Sequence, residues 1–206
     1  RQAAARGRWR RSGGGRRRAP VGVSNSGVVG LELAGDESLS PSLDRFAAWY
    51  ALARDAGLGL TAHAAEAGPA SAAREAVESL GVSRIGHGSH IADELKLLDW
   101  IRDEGVTIEV CPTSNVLTRA APSLAKHPVH AFVRAGIAVA LGDDNPQNTG
   151  VRLSEEAHLL VTDGGLKAEV VAGFARNAID AAFCSDVVRR DLAVLLLDRE
   201  AKSWKR

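Results

Sequence analysis

The sequence of 206 residues contains no methionine and only two cysteines, Cys111 and Cys184. Two cysteines are too few for a disulfide framework, and no C-x-x-C spacing indicates a redox pair or a thiolate zinc site. No run reaches the roughly 18 apolar residues that a membrane span needs, and the amino terminus lacks the apolar segment of a secretory signal. We therefore expect a cytoplasmic protein with reduced thiols. Because even an initiator methionine is absent, we also expect the chain to be incomplete at its start.

Acidic residues are missing from the first 20 positions, which hold eight of the 26 basic residues. The rest of the chain has 18 basic and 25 acidic residues, a net charge of −7, although the whole chain carries +1. An acidic body repels phosphate backbones, so nucleic acid binding is expected only through the arginine-rich segment. We interpret residues 1–20 as a disordered tail, because like charges and glycines bury little apolar surface, and residues 21–206 as the folded part.

Short apolar runs alternate with longer stretches of helical period, and each strand candidate is followed by a helix candidate. Connections of this length predict parallel strands with crossover helices, in a doubly wound sheet or an arc of a (β/α)₈ barrel. No phosphate-binding glycine motif follows any strand, which disfavours a nucleotide-cofactor fold. The strand candidates are Val28–Leu33, Gly59–Ala64, Arg84–His87, Thr107–Cys111 and Ala138–Leu141. The helix candidates are Leu43–Ala56, Ser71–Leu80, Ile91–Glu104, Pro128–Ala135, Ser154–Val161 and Ala168–Ala182.

Ionisable residues follow the carboxyl ends of several predicted strands, which form the catalytic face of a barrel. His63 ends one strand and Glu66 follows it, so an imidazole could bind a metal while the carboxylate moves a proton. A hydrogen-bonded core histidine and a capping carboxylate are the structural alternative. His87 lies between Gly86 and Gly88, and these small neighbours either admit a ligand or only permit a turn.

The last predicted strand runs into Asp143, Asp144 and Asn145, followed by Pro146. Adjacent carboxylates that face one cavity repel each other unless a cation or a hydrogen-bonding ligand is present. A polar turn explains the same residues equally well. Cys111 has no basic neighbour in the sequence, and we interpret it as a buried structural thiol.

Together these segments resemble the adenosine deaminase family of zinc-dependent (β/α)₈ hydrolases. The resemblance covers roughly residues 28–185 and is carried by Leu33-Ala34-Gly35-Asp36-Glu37, His63-Ala64-Ala65-Glu66, Arg84-Ile85-Gly86-His87-Gly88, Glu109-Val110-Cys111-Pro112-Thr113-Ser114-Asn115, Asp144-Asn145-Pro146 and Leu153-Ser154-Glu155-Glu156. It implies that His63 and Asp144 bind zinc and that Glu66 protonates N1 of the purine. It also implies that His87 orients and deprotonates the attacking water, and that Gly35 and Asn145 contact N3 and N7 of the purine.

Three departures from the family pattern affect these expectations. Asn145 replaces a second aspartate, and Ala65 replaces a glycine, which matters only if the backbone there has a positive φ. The third departure is the absence of the His-x-His pair that completes the family's zinc site. The resemblance begins at the family's fourth strand, so we expect a partial barrel of about five of the eight β/α units. Such an arc exposes sheet edges and the apolar residues meant to fill the barrel, which favours self-association.

The resemblance predicts hydrolytic deamination of adenosine to inosine and ammonia by a zinc-activated water. The expected partner is a small purine nucleoside, with no membrane partner. One alternative is deamination of another 6-aminopurine, such as adenine or aminodeoxyfutalosine. The other is a catalytically inactive fragment with a basic tail, which the missing metal pair favours.

Overall fold

The computed structural model describes residues 27–39 and 42–203. Its centre is one sheet of five parallel strands in sequential order, which confirms the predicted partial barrel with parallel strands. Two strands have the predicted bounds, and the other three are shorter by one or two residues. The strands are β1 (Gly30–Leu33), β2 (Gly59–Ala64), β3 (Arg84–His87), β4 (Thr107–Val110) and β5 (Val139–Leu141). The predicted tail, residues 1–20, lies outside the described residues.

Helices connect consecutive strands and continue after the last one. They are α1 (Ala47–Asp55), α2 (Ser71–Glu75), α3 (Leu95–Glu104), α4 (Pro112–Leu117), α5 (Val129–Ala135), α6 (Pro146–Thr149), α7 (Leu153–Thr162), α8 (Ala168–Ala181) and α9 (Asp186–Ser203). A π-helical turn, Ala76–Leu80, extends α2, and short 3₁₀ turns cover Glu37–Leu39, Asp44–Phe46, Ser89–Asp93 and Leu124–Lys126. The sequence does not predict the short helices α4 and α6 or the long helix α9.

The hydrophobic core lies between the sheet and the helices that cover one of its faces. Ala62, Ile85 and Ile108 point from their strands towards these helices, and all three are fully buried. They belong to the same apolar cluster as buried helix residues such as Ile101 and Phe132. Because side chains alternate along a strand, this packing turns the intervening residues to the opposite face, the interior of the arc.

The inner face of the sheet is polar, in contrast to the apolar interior expected from the sequence. Thr61 Oγ1 donates a hydrogen bond to Glu109 Oε2 at 2.9 Å, and Arg84 Nε lies 3.1 Å from Glu109 Oε1. At the amino ends of the strands, Arg84 stacks on Phe183, with 3.7 Å from the guanidinium carbon to the ring centroid. Charged and hydrogen-bonding groups therefore occupy the space that aliphatic side chains fill in many barrels.

Within the described ranges, no helix is both long enough and apolar enough to cross a membrane.

Candidate active site

Two histidines meet at the carboxyl ends of neighbouring strands. The β2–β3 register pairs His63 with Gly86 and Ala64 with His87. The imidazole rings of His63 and His87 contact each other edge to face, with centroids 4.6 Å apart. A Cβ atom on Gly86 would lie 2.9 Å from His63 Nδ1, closer than carbon and nitrogen normally approach. Because glycine has no side chain, position 86 leaves the space that the His63 ring occupies.

The backbone is strained at three positions of the candidate site. Ala65, His87 and Asp144 have φ values of 59°, 62° and 55°, in the left-handed region that favours glycine. Each such residue costs roughly 1–2 kcal/mol relative to a relaxed backbone. Among the described residues only one other non-glycine residue, Arg119, shares this conformation. Strain of this kind persists where the surrounding structure holds it, and its concentration at strand ends is typical of a functional site.

His87, Glu66 and Asn115 form a hydrogen-bonded cluster. Asn115 Nδ2 lies 3.0 Å from His87 Nδ1 and donates a hydrogen bond to Glu66 Oε1 at 3.3 Å. Thr118 Oγ1 donates to the same carboxylate oxygen at 3.3 Å. The structure thus brings together the two residues predicted to be catalytic and adds an asparagine between them.

Burial shifts the pKa values of both predicted catalytic residues. It raises the pKa of Glu66 above its ordinary value, against the opposing effect of nearby His63. Burial, reinforced by His63, lowers the pKa of His87 to about 4. Glu66 therefore retains its proton to higher pH than an exposed carboxyl group, whereas His87 remains neutral at physiological pH.

The loop that carries Glu66 is held by Glu37. Glu37 Oε1 accepts a hydrogen bond from the Glu66 amide at 3.0 Å, and Glu37 Oε2 accepts one from the Gly68 amide at 2.5 Å. Gly35, exposed and with a φ of 134°, lies just before Glu37. A cavity of about 380 Å³ is lined by Gly35, Glu37, Glu66 and Thr118, among others. This volume lies within the range of small-molecule pockets, so the predicted purine contact Gly35 and the predicted acid Glu66 face one cavity.

Asp144 is oriented by a residue of α4, the helix that follows β4. Ser114 Oγ donates a hydrogen bond to Asp144 Oδ2 at 2.6 Å. The next residue in the sequence motif, Asn145, is exposed and directly precedes α6. Cys111 is a free, buried cysteine whose pKa is raised by burial, which confirms the prediction of a buried thiol.

The donor chemistry of His63 and Asp144 fits zinc. His63 Nδ1 lies 3.1 Å from Glu32 Oε1, without hydrogen-bond alignment, so the carboxylate flanks one ring nitrogen and Nε2 is left for a metal. A carboxylate on the far nitrogen is a common partner of zinc-bound histidines. The Ser114 bond likewise leaves Asp144 Oδ1 uncommitted. Within the described residues, however, no group of three or more His, Cys, Asp or Glu side chains is positioned to hold a metal. The two residues fit part of a zinc site.

His127 is not available to complete that site. Its Nδ1 accepts a hydrogen bond from the Val129 amide at 3.0 Å, and its Nε2 lies 3.1 Å from Asn115 Oδ1. His90 is engaged elsewhere, with Nδ1 3.0 Å from Asp93 Oδ2. Asn115 and Glu37 stand within motifs that the sequence already singles out, but no sequence pattern connects His127 to the site.

The sequence is similar to that of known adenosine deaminases. A family model described as adenosine deaminase matches residues 17–198. An adenosine deaminase from Vibrio parahaemolyticus is 36% identical over 172 residues, which cover 84% of this chain and 51% of the relative. A similar protein from Erwinia tasmaniensis, also named adenosine deaminase, is 37% identical over 160 residues, which cover 78% and 48%.

Solved structures of deaminases share the fold. An adenine deaminase from Arthrobacter aurescens superposes with a TM-score of 0.78 at 32% identity, covering 86% of this chain and 53% of that chain. The N6-methyl-AMP deaminase from Arabidopsis thaliana superposes with a TM-score of 0.76 at 26% identity, covering 85% and 51%. An amidohydrolase from Burkholderia ambifaria with bound Zn gives 0.76 at 26% identity, covering 83% and 48%. The chain thus spans about half the length of the relatives that it matches.

Proposed function

The chain belongs to the adenosine deaminase family, and we propose that it supplies part of the active site of a zinc-dependent enzyme that hydrolyses adenosine to inosine and ammonia. The observation that carries this proposal is the cluster of Glu66, Asn115 and His87 beside His63. It unites a carboxyl group of raised pKa with a neutral imidazole at the catalytic face of the sheet. We further propose that the enzyme is cytoplasmic.

Glu66 acts as the general acid in this proposal. Deamination of a 6-aminopurine requires a proton on N1, because protonation withdraws electrons from C6 and makes it susceptible to water. A general acid works best when its pKa lies close to the working pH, and burial raises the pKa of Glu66 in that direction. The carboxyl group also lines the same cavity as Gly35, whose backbone would contact N3, the other nitrogen of the six-membered ring.

His87 contributes a neutral imidazole next to the water that attacks C6. Its side chain is only 3% exposed, so its hydrogen bonds are not weakened by competition with bulk solvent. Asn115 fixes one of its ring nitrogens. The imidazole therefore has one committed nitrogen and one nitrogen left to orient the water.

In the proposed enzyme, His63 and Asp144 would be two of the zinc ligands. Bound zinc lowers the pKa of water from about 15.7 towards about 7 and so supplies hydroxide near neutral pH. Catalytic zinc sites use about three protein ligands, so these two residues require further ligands.

A fusion protein tests the proposed activity. The part of the Vibrio parahaemolyticus relative that this chain does not match is joined to residues 21–206, and ammonia release from adenosine is measured with zinc present. We expect turnover, and we expect Glu66→Gln to lower kcat by about 100-fold, as for loss of a general acid. Glu78→Gln, which changes an exposed residue of the π-helical turn, is the matched control. A folded, zinc-loaded fusion that releases no ammonia from any 6-aminopurine would refute the proposal.

Adenine is the second candidate substrate, because one of the similar structures is an adenine deaminase. The rates of ammonia release by the fusion protein from adenine and from adenosine distinguish the two candidates. A kcat/KM for adenine above that for adenosine would assign the enzyme to the free base.

A further inference from the structure

We propose that His127 is a positioning residue that fixes the tautomer of His87 through the side chain of Asn115. All three side chains are buried, with exposed fractions of 2% for His127, 0% for Asn115 and 3% for His87. His127 lies before α5, outside the residues that face the cavity with Glu66. Its connection to the site is therefore a chain of hydrogen bonds rather than contact with a substrate.

The direction of this chain is set by a backbone amide. The Val129 N–H can only donate, so His127 Nδ1 must accept its hydrogen bond at 3.0 Å. Burial lowers the pKa of His127 to about 4, and the ring is therefore neutral at physiological pH. A neutral imidazole that accepts at Nδ1 carries its hydrogen on Nε2. That N–H donates to Asn115 Oδ1 at 3.1 Å.

The hydrogen bond from His127 fixes the orientation of the Asn115 side-chain amide. With Oδ1 turned to His127, Nδ2 faces His87 Nδ1 at 3.0 Å and Glu66 Oε1 at 3.3 Å. Both of Nδ2's hydrogens then have acceptors only if His87 Nδ1 carries no hydrogen. A ring that accepts a hydrogen bond at Nδ1 carries its one hydrogen on Nε2, so this geometry assigns the hydrogen of His87 to Nε2.

The opposite orientation of Asn115 is disfavoured by its neighbours. A flipped amide would place its NH₂ group against the Nε2–H of His127, so two donors would face each other. It would also turn Oδ1 towards Glu66 Oε1, which places two acceptors together when that carboxylate is ionised. Buried polar groups without partners are strongly destabilising, so the surroundings specify one orientation.

The consequence for catalysis rests on the proposed deaminase function, whereas the tautomer itself does not. A neutral ring with hydrogen on Nε2 donates a hydrogen bond from that nitrogen and cannot accept a proton there. His87 then orients the attacking water and stabilises negative charge on its oxygen. The sequence resemblance implies instead that His87 deprotonates the water, a role that requires the other tautomer.

His127 also caps α5 through the Val129 amide, so the test must separate this structural role from the proposed one. His127→Asn places an amide oxygen near the position of Nδ1, which retains the cap and removes the donor to Asn115. His127→Gln places an amide N–H near the position of Nε2, which retains the donor and removes the cap. The two variants form a matched pair, because each loses one of the two hydrogen bonds of His127 and retains the other.

The readout is the ¹⁵N NMR spectrum of the full 206-residue chain with labelled histidine at pH 7, in which His87 is identified by the signals missing from His87→Gln. We expect wild type and His127→Gln to show His87 protonated at Nε2 and unprotonated at Nδ1. In His127→Asn we expect a mixture of both tautomers. Hydrogen exchange of the α5 amides should be faster in His127→Gln, which loses the hydrogen bond to the Val129 amide, than in His127→Asn, which retains it.

Two results would overturn the proposal. One is a wild-type His87 that carries its hydrogen on Nδ1, which needs no variant to detect. The other is a His127→Asn spectrum in which His87 is unchanged. In the fusion protein, His127→Asn should lower kcat by roughly 10-fold more than His127→Gln, a size comparable to the loss of a residue that orients a metal ligand. A wild-type fusion that shows the expected tautomer but releases no ammonia would refute the proposed function and leave the positioning role supported.

Discussion

At the scale of single residues, Gly86 is the position where one added methyl group tests the geometry of the candidate site. A Cβ atom there would lie 2.9 Å from Nδ1 and 3.3 Å from Cε1 of His63. We expect Gly86→Ala to displace the imidazole from its place beside Glu32. Misplacement of a site residue by about 1 Å can lower a rate by roughly 100-fold, so ammonia release by the fusion protein should fall by at least about 10-fold.

The matched control for this substitution is Gly173→Ala. Gly173 lies in α8, and a Cβ atom there would meet nothing within 4 Å. Alanine in a helix is more stable than glycine by about 0.5–1 kcal/mol, so this variant should be slightly stabilised and fully active. Urea denaturation and the ammonia assay measure the two effects. If Gly86→Ala proved as active as Gly173→Ala, the close packing of His63 against position 86 would be irrelevant to function.

The sequence predicts individual site residues where local pattern and strand position agree. His63, Glu66 and His87 follow apolar runs, and parallel strands bring their carboxyl ends to one edge. His127 could not be found in this way, because its partner Asn115 is 12 residues away and the loop between them determines the contact. Likewise, nothing in the residue type of Ala65 predicts its φ of 59°.

At the scale of elements, the segment after α8 closes the amino ends of the strands. Phe183 follows this helix, and its ring packs so tightly on β2 that a Cβ atom at Gly59 would lie 2.1 Å from its Cγ. Gly30 and Arg84 contact the same ring. We expect Phe183→Ala to lower the free energy of unfolding by about 2–3 kcal/mol, less than the 3–5 kcal/mol of a fully buried phenylalanine, because this ring is partly exposed.

Trp49→Ala is the control for Phe183→Ala. Trp49 is the larger side chain, but it is 68% exposed on α1. Its removal should change the free energy of unfolding by less than about 0.5 kcal/mol. Urea denaturation of both variants distinguishes packing from size. A loss for Phe183→Ala as small as the one expected for Trp49→Ala would show that Phe183 does not stabilise the amino ends of β1 and β2.

The sequence predicts elements best where a short apolar run is followed by an amphipathic stretch. All five strands meet this condition, and their bounds differ from the structure by two residues at most. Helix α9 does not meet it, because its exposed apolar residues, such as Val188, Val194 and Leu197, are spread around the helix and do not form one stripe. Helices α4 and α6 begin with Pro112 and Pro146. Proline favours a first helical turn as well as a loop, so neither proline by itself predicts a helix.

At the scale of the whole molecule, the sheet is an open arc. Strands β1 and β5 each pair with only one neighbour among the described residues. The inner face between them carries Glu32, His63 and Glu109, so the arc surrounds charged groups rather than an apolar core. The expected self-association through the sheet edges stays a prediction, and the polar inner face argues that backbone pairing rather than apolar burial would drive it.

Zinc binding tests how much of the metal site this chain supplies. Its candidate ligands are His63 and Asp144, and residues 1–26 contain no His, Cys, Asp or Glu that could add another. Because two protein ligands leave zinc exposed to chelators, we expect the 206-residue chain to retain well under one zinc after dialysis against a weak chelator. The fusion protein should retain about one zinc, and His63→Gln should abolish this binding, whereas His158→Gln, at an exposed position of α7, should not. If the chain alone retained one zinc, a ligand beyond His63 and Asp144, from this chain or a second copy, would complete the site.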